Sequence, residues 1–168
     1  MKSIINNLFV GNDINAEHLI SGNDLNDWAI VHAAKEKWHR QLLGYTGRGC
    51  PKDNPDYLWA ERGDRLYLNI VDAKSSLFFD KSMVDKALDF IEQKLSEGKK
   101  VLVHCNEGFS RSPSIALLYL IKHGNINGET LEDCEVEFLR LYPNYNPGKG
   151  IRDFVKEHFE LYKYNLPF

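Results

Sequence analysis

Residues 103 to 113 read VHCNEGFSRSP, which sets Cys105 and Arg111 apart by five residues, with His104 just upstream and Gly108 between them. Cysteine attacks and binds as its thiolate, a form favoured by helix N-termini and nearby cations. Arginine carries a planar fork of donors that grips two oxygens of a phosphate at once, a geometry lysine does not reproduce. Together these residue types point to a sulfur facing a bound oxyanion. Gly108 supplies a backbone conformation or a close approach that other residues resist, so the loop from 105 to 111 can turn its amide hydrogens inward around the anion. His104 fits a bracing role better than that of a base, because an ionised sulfur needs none.

The flanking pattern gives the loop its place. "KKVLVHC" is a short continuous apolar run of the kind buried on both faces of a sheet, and "SPSIALLYLIKHG" reads as a helix with Pro113 in its first turn and Gly124 as its stop. Strand, loop and helix therefore succeed one another directly, the arrangement in which α/β proteins bind anions at strand ends and helix N-termini. A second strand, 64 to 72, sets Leu66, Leu68 and Ile70 on one face and ends at Asp72. Val84, Ala87, Leu88, Ile91 and Leu95 then recur at helical spacing, with Asp80 or Ser82 as N-cap and Gly98 as terminator.

Upstream, a strand is expected from about Ile4 to Val10 and another over "WAIVHA", 28 to 33. The stretch from Ala34 to Ala60, rich in Gly and Pro after Leu43, reads as an irregular insertion. Downstream, a helix starts at Thr130 with a capping box to Asp133 and an apolar face of Leu131, Cys134, Phe138 and Leu141. A last helix begins near Pro147, and the spacing of Ile151, Phe154, Val155, His158, Phe159 and Tyr162 makes His158 a packing residue. The order of elements argues for a single α/β domain over residues 1–168, with helices on a mainly parallel sheet of about four to five strands.

At 168 residues, 43% hydrophobic and 27% charged, the chain is of ordinary globular composition and can bury a core without staples. Its net charge of −3 argues against a general nucleic-acid binder, so an anion site has to be local. The start lacks the apolar core of a signal peptide and "SIALLYLI" is too short to cross a bilayer, so a cytoplasmic protein without membrane partners is expected. Cys50, Cys105 and Cys134 form neither a CxxC pair nor an even set, which leaves no disulfide framework or zinc ribbon.

"HCNEGFSRS" resembles the H-C-x-x-G-x-x-R-[ST] signature of cysteine-dependent protein tyrosine phosphatases, and the Ser before Arg is most similar to the dual-specificity branch. "LYLNIVDAKSSLFFD" resembles that family's general-acid strand and loop, and "FLRLYPNYNPGKGIRDF" its closing pattern. The resemblance implies a dual-specificity phosphatase-like fold. It also implies a phosphatase acting on phosphotyrosine, and on phosphoserine or phosphothreonine, in phosphorylated proteins or other phosphomonoesters, without metal or cofactor. Cys105 would attack phosphorus to give a phosphocysteine. Arg111 and the loop residues Asn106, Glu107, Gly108, Phe109 and Ser110 would bind the phosphate, with His104 in support. Asp72 would protonate the leaving oxygen and then activate water, and Ser112 would hydrogen-bond the sulfur as it leaves.

Glu107 departs from the family, standing where a small apolar residue is usual; a carboxylate there repels a dianion unless it points outward or is braced. Asp64 and Asp80 compete with Asp72 for the acid's role, but one precedes its strand and the other suits a helix cap. Cys134 lies on an apolar helix face. Cys50, in the insertion, reads as a plain loop thiol, with a protective disulfide to Cys105 as the sharper alternative. Lys35, Lys37, Arg40, Arg48 and Lys52 make the insertion basic, either as a solvated face or as a border that selects anionic substrates. Two rival functions remain: an RNA 5'-triphosphatase, whose loop "HCNEGF" also resembles, and a phosphate-binding module without turnover. A phosphoinositide phosphatase is disfavoured by a loop without lysine.

Overall fold

The computed structural model describes residues 1–167. The chain opens with strands β1 (Lys2–Ile5) and β2 (Leu8–Gly11), followed by helix α1 (Asp13–Ser21) and strand β3 (Trp28–His32). After an irregular turn, α2 (Arg40–Leu43) leads to β4 (Trp59–Arg62) and β5 (Arg65–Leu68). Then come α3 (Lys81–Ser96), β6 (Lys100–His104), α4 (Arg111–Lys122), α5 (Leu131–Leu141) and α6 (Lys149–Lys163). The sheet has six strands in the order β1-β2-β6-β3-β5-β4. The four central strands run parallel and each edge is an antiparallel hairpin partner.

The mainly parallel sheet is thus as expected, with two strands more than the sequence pattern separates. The run from Ile4 to Val10 is a hairpin, not one strand: Ile5 pairs with Leu8, and Asn7 takes φ 63°, a left-handed turn conformation that asparagine tolerates. The second addition, β4, starts at Trp59, inside the stretch read as insertion.

Alternation along the strands divides the core. Leu66, Leu68, Val101 and Val103 face a large apolar layer under α3, α4, α5 and α6, whereas Tyr67 and Leu102 face a smaller one containing Ala16, Trp28, Trp38 and Ala60. Helix α4 is buried from Ser112 to Ile121, which explains why its apolar run shows no polar face. Segment 34–60 is not a free excursion. Ala34, Trp38 and Ala60 belong to the smaller layer, and buried His39 ties the segment down, its Nε2 donating to Asp56 O (2.9 Å) and its Nδ1 accepting from Tyr45 Oη (2.9 Å). With Asp56 O able only to accept, the tautomer is forced.

The strand register brings distant parts of the chain together. Gly11, His104, His32 and Tyr67 lie side by side across β2, β6, β3 and β5, so the chain leaves the sheet at neighbouring points on one carboxyl edge. At that edge α1 begins at Asp13 and the loop after β6 begins at Cys105.

Candidate active site

The loop 105–110 joins β6 to α4 and is held from behind by its carbonyls. Gly108 O accepts from Tyr142 Oη (2.8 Å), Phe109 O from Asn146 N (2.8 Å), Asn106 O from Asp13 N (3.3 Å) and Ser110 O from Ser114 N (3.1 Å). The amide hydrogens of residues 106 to 110 meet no acceptor among the described residues. Helix α4 starts without a side-chain cap, since the Ser110 hydroxyl turns instead to Asp72. An unfilled helix N-terminus with free amides is able to hold an anion. Gly108 makes the turn possible: its φ is 81°, and a Cβ would sit 2.9 Å from Gly11 O. Burial, followed by the nearby Cys105 sulfur, pushes the Tyr142 phenol up to about 12, so it remains a donor to the loop.

Cys105 is buried and lines a pocket of about 270 Å³ with Asp72, Asn106, Glu107, Phe109, Ser110 and Arg111. Ser112 Oγ stands 3.2 Å from Cys105 Sγ and 3.2 Å from Gly11 O, so its single hydrogen can serve either acceptor. Arg111 reaches across the loop mouth. Its Nη1 donates to Ile70 O (3.2 Å) and its Nη2 to Asn106 Oδ1 (2.7 Å), while its Nε is buried without a partner. A buried donor left open is costly unless a ligand fills it.

Asp72 comes from the loop after β5 and accepts from Ser110 Oγ at 3.1 Å; Gly148 N donates to that same hydroxyl at 2.9 Å. Its rivals are occupied elsewhere, Asp64 in ion pairs with Lys94 and Lys99 and Asp80 as the N-cap of α3. Glu107 is exposed at the rim. His104 is fully buried, with Nε2 2.6 Å from His32 Nδ1 and Nδ1 3.3 Å from Cys105 O, a bracing position.

The structure therefore gathers Asp72, His104, Cys105, Asn106, Glu107, Gly108, Phe109, Ser110, Arg111 and Ser112 in one place. Cys134 is buried in the large core, and His158 is half-buried on Phe154, as expected of packing residues. Cys50 is a free, buried thiol, and the charged and polar groups that act on it are Asp56, Asp53, Lys35 and Tyr45. Burial raises its pKa.

Three residues around the loop were not foreseen: Asp13, His32 and Trp38. Asp13 Oδ1 accepts from Trp38 Nε1 (2.7 Å) and lies 3.4 Å from His104 Nδ1, and its Oδ2 accepts from Asn106 Nδ2 (2.9 Å). Burial works to raise the Asp13 pKa, but the donors His104, Asn106 and Trp38 outweigh it and leave the carboxyl below its ordinary value. His32 is stacked between Trp38 (4.2 Å) and Tyr67 (4.5 Å), and burial, then the His104 and Arg65 charges, hold it well below the ordinary histidine range. The one available signal was Asn12-Asp13 directly after β2, a helix start that a search for caps finds: Asn12 and Asn15 form a capping box.

Among known protein families, the model of the dual specificity phosphatase catalytic domain matches residues 52–140. Human dual specificity protein phosphatase 16 is 30% identical over 129 residues, covering 73% of this chain and 18% of the relative. Tyrosine-protein phosphatase yvh1 of Schizosaccharomyces pombe is 31% identical over 116 residues, covering 68% of this chain and 34% of the relative. The chain thus spans only a minor part of these longer proteins. The crystal structure of DUSP15 superposes with a TM-score of 0.66 at 20% identity, over 94% of this chain and 86% of that one, a likeness of fold. With the family model matching more than half of the chain and the cysteine loop inside the match, the chain belongs to the dual-specificity phosphatase catalytic-domain family.

Proposed function

We propose that this chain is a cysteine-dependent phosphatase that hydrolyses phosphomonoesters, phosphotyrosine and also phosphoserine or phosphothreonine, through a phosphocysteine intermediate and without a metal. The observation that carries this reading is the set of unspent donors facing Cys105: the free amides of 106 to 110 and the buried, unpartnered Nε of Arg111. In the first step Cys105 Sγ, as thiolate, attacks phosphorus while the ester oxygen departs in line and takes the proton of Asp72. The three equatorial oxygens lie against the amides and the guanidinium, which stabilise charge where it develops. In the second step the Asp72 carboxylate removes a proton from water, whose oxygen attacks phosphorus and expels the thiolate. Ser112 then turns its hydrogen from Gly11 O to the leaving sulfur. Phosphate and the starting thiolate are restored, and every proton is accounted for.

We read residues 1–168 as one phosphatase domain in which segment 34–60 is an elaboration, acting in the cytoplasm on phosphorylated proteins. No helix among the described residues is long and apolar enough to cross a membrane. The test is hydrolysis of para-nitrophenyl phosphate with a chelator present. Turnover sensitive to vanadate is expected, abolished in Cys105→Ser and reduced about 10²-fold or more in Asp72→Asn on a phosphotyrosine peptide. An inert native protein that still binds phosphopeptides, or a Cys105→Ser variant with full activity, discards the reading.

A further inference from the structure

Arg111 is aimed by a residue far from it in sequence. Its Nη2 rests on Asn106 Oδ1 at 2.7 Å, and Asn106 Nδ2 rests on Asp13 Oδ2 at 2.9 Å. The other oxygen of Asp13 takes Trp38 Nε1 at 2.7 Å and faces His104 Nδ1 at 3.4 Å. We propose that Asp13 is a positioning residue for the phosphate-binding guanidinium, acting through the side-chain amide of Asn106; this rests on reading the Cys105 loop as the phosphate site.

The donor and acceptor types leave one arrangement. An ionised carboxylate only accepts and a guanidinium only donates, so the residue between them needs one group of each kind, on opposite sides of a rigid plane. Asn106 supplies both. Because Asp13 accepts, the amide nitrogen turns toward Asp13 and the oxygen toward Arg111. With Nη2 held there and Nη1 on Ile70 O, the guanidinium has its plane set and its Nε–H left for the ligand.

The amide link also has an electrostatic merit. A carboxylate placed directly on Arg111 would neutralise the charge that binds phosphate, whereas an amide between them passes on orientation and leaves the cation whole. The anchor of Asp13 is firm at every end. Its own N–H donates to Asn106 O (3.3 Å), Asn12 caps its helix, and Trp38 is 9% exposed and stacked on His32. Trp38 comes from segment 34–60, so that segment takes part in setting the site.

Replacing Asp13 by Asn reverses the logic. The introduced amide would accept from Trp38 through its oxygen and turn an NH₂ toward Asn106, which can answer only by flipping and pointing its own NH₂ at Arg111. The experiment is a double-mutant cycle on the full chain, reading tungstate affinity by titration calorimetry for native protein, Asp13→Asn, Arg111→Ala and the double variant. Asp13→Asn is expected to weaken tungstate about tenfold, the worth of one charge-assisted hydrogen bond, and to change it less than about twofold when Arg111 is already replaced by alanine. Native-like affinity in Asp13→Asn, or an equal loss in both backgrounds, overturns the proposal. Should Asp13→Asn not fold, as read by circular dichroism, Asp13→Ala, which leaves Asn106 Nδ2 without its acceptor, takes its place in the same cycle with the same expected outcome. Tungstate coupling without any phosphomonoester turnover would refute the enzyme reading alone, and turnover with additive losses would refute the positioning role alone.

Discussion

The start of α6 offers a perturbation that reaches the acid without touching the nucleophile. Gly150, in its first turn, packs against the loop that carries Asp72: a Cβ there would lie 2.1 Å from Ala73 O, 2.8 Å from Ser75 N and 2.9 Å from the Lys74 carbonyl carbon. All are backbone atoms, so no flexible side chain can give way. In Gly150→Ala the Ala73 carbonyl has to retreat by at least about 1 Å, a displacement that costs roughly 10²-fold when it misplaces a reacting group. Asp72, one residue upstream, moves with it, whereas Cys105, just past β6, and Arg111, at the start of α4, keep their places. The fold should survive, because Ala gains up to about 1 kcal/mol over Gly inside a helix and offsets part of the clash. The loss then depends on the leaving group. A tyrosine phenolate, with a pKa near ~10, needs the proton; nitrophenolate departs without it. Rapid-quench measurement of the first turnover should show about 10²-fold slower phosphoryl transfer from a phosphotyrosine peptide. On para-nitrophenyl phosphate the first turnover should change less than about threefold, since acid catalysis adds little there. Equal losses on both substrates, or native rates on the peptide, would refute the placement of Asp72 as the acid.

Three further outcomes are expected. Ser112→Ala removes the hydrogen that stabilises the departing thiolate, so hydrolysis of the intermediate should slow by about 10- to 100-fold, the range of a hydrogen bond to a charged group. A burst of nitrophenolate followed by slow turnover, with phosphoprotein recovered after acid quench, checks it. In Gly108→Ala the left-handed φ costs roughly 1–2 kcal/mol before the contact with Gly11 O is counted. A fall in Tm of about 2–8 °C together with lost vanadate inhibition is the expected result. His32 ties stability to pH. Burial and then the His104 and Arg65 charges hold its folded pKa well below ~6.5, so below that pH the unfolded chain binds a proton the folded chain refuses. Stability is complete above about pH 6.5 and declines as pH falls toward the folded value; in His32→Phe the slope of Tm against pH between 5 and 7 should flatten, and an unchanged slope would assign the decline to other groups.

The contiguous parts of the site were legible because their chemistry is local. Cys105, Gly108, Arg111 and Ser112 sit within one turn, and a buried strand followed by a Pro-started helix leaves a single place for them. Asp72 was legible for a different reason: it closes an alternating run whose regular part is β5, while Asp64 precedes that run and Asp80 suits a helix cap. The hairpin at Asn6-Asn7 escaped because apolar residues flank the turn on both sides, Ile4 and Ile5 before it and Leu8 to Val10 after it, and two residues barely interrupt the pattern. Asp13, His32 and Trp38 escaped because nothing in their spacing relates them. They meet only through the register that aligns Gly11, His32 and His104 across three strands. These neighbours in the sheet lie far apart in the sequence, so no local period encodes their register.

The basic residues of segment 34–60 show how charge counting and structure part company. Lys35 pairs with Glu36 and donates to Arg48 O, Lys37 pairs with Glu17, and Arg40 grips Glu36 through two nitrogens while donating to Tyr45 O and Gly47 O. Lys35 and Arg40 close the segment's own turns and Lys37 ties it to α1, whereas Arg48 and Lys52 are exposed and make no side-chain ion pair among the described residues. Pairs of this kind, screened by solvent, contribute little each, too little to hold the segment by themselves. What holds it is buried: Trp38 packed in the smaller core, and His39 hydrogen-bonded between Tyr45 Oη and Asp56 O. Since the same Trp38 donates to Asp13, the packing that keeps this segment on the sheet also keeps the Asp13 carboxylate facing Asn106. The segment is thereby coupled to the orientation of Arg111, and a substitution that loosens it should weaken oxyanion binding for every substrate alike.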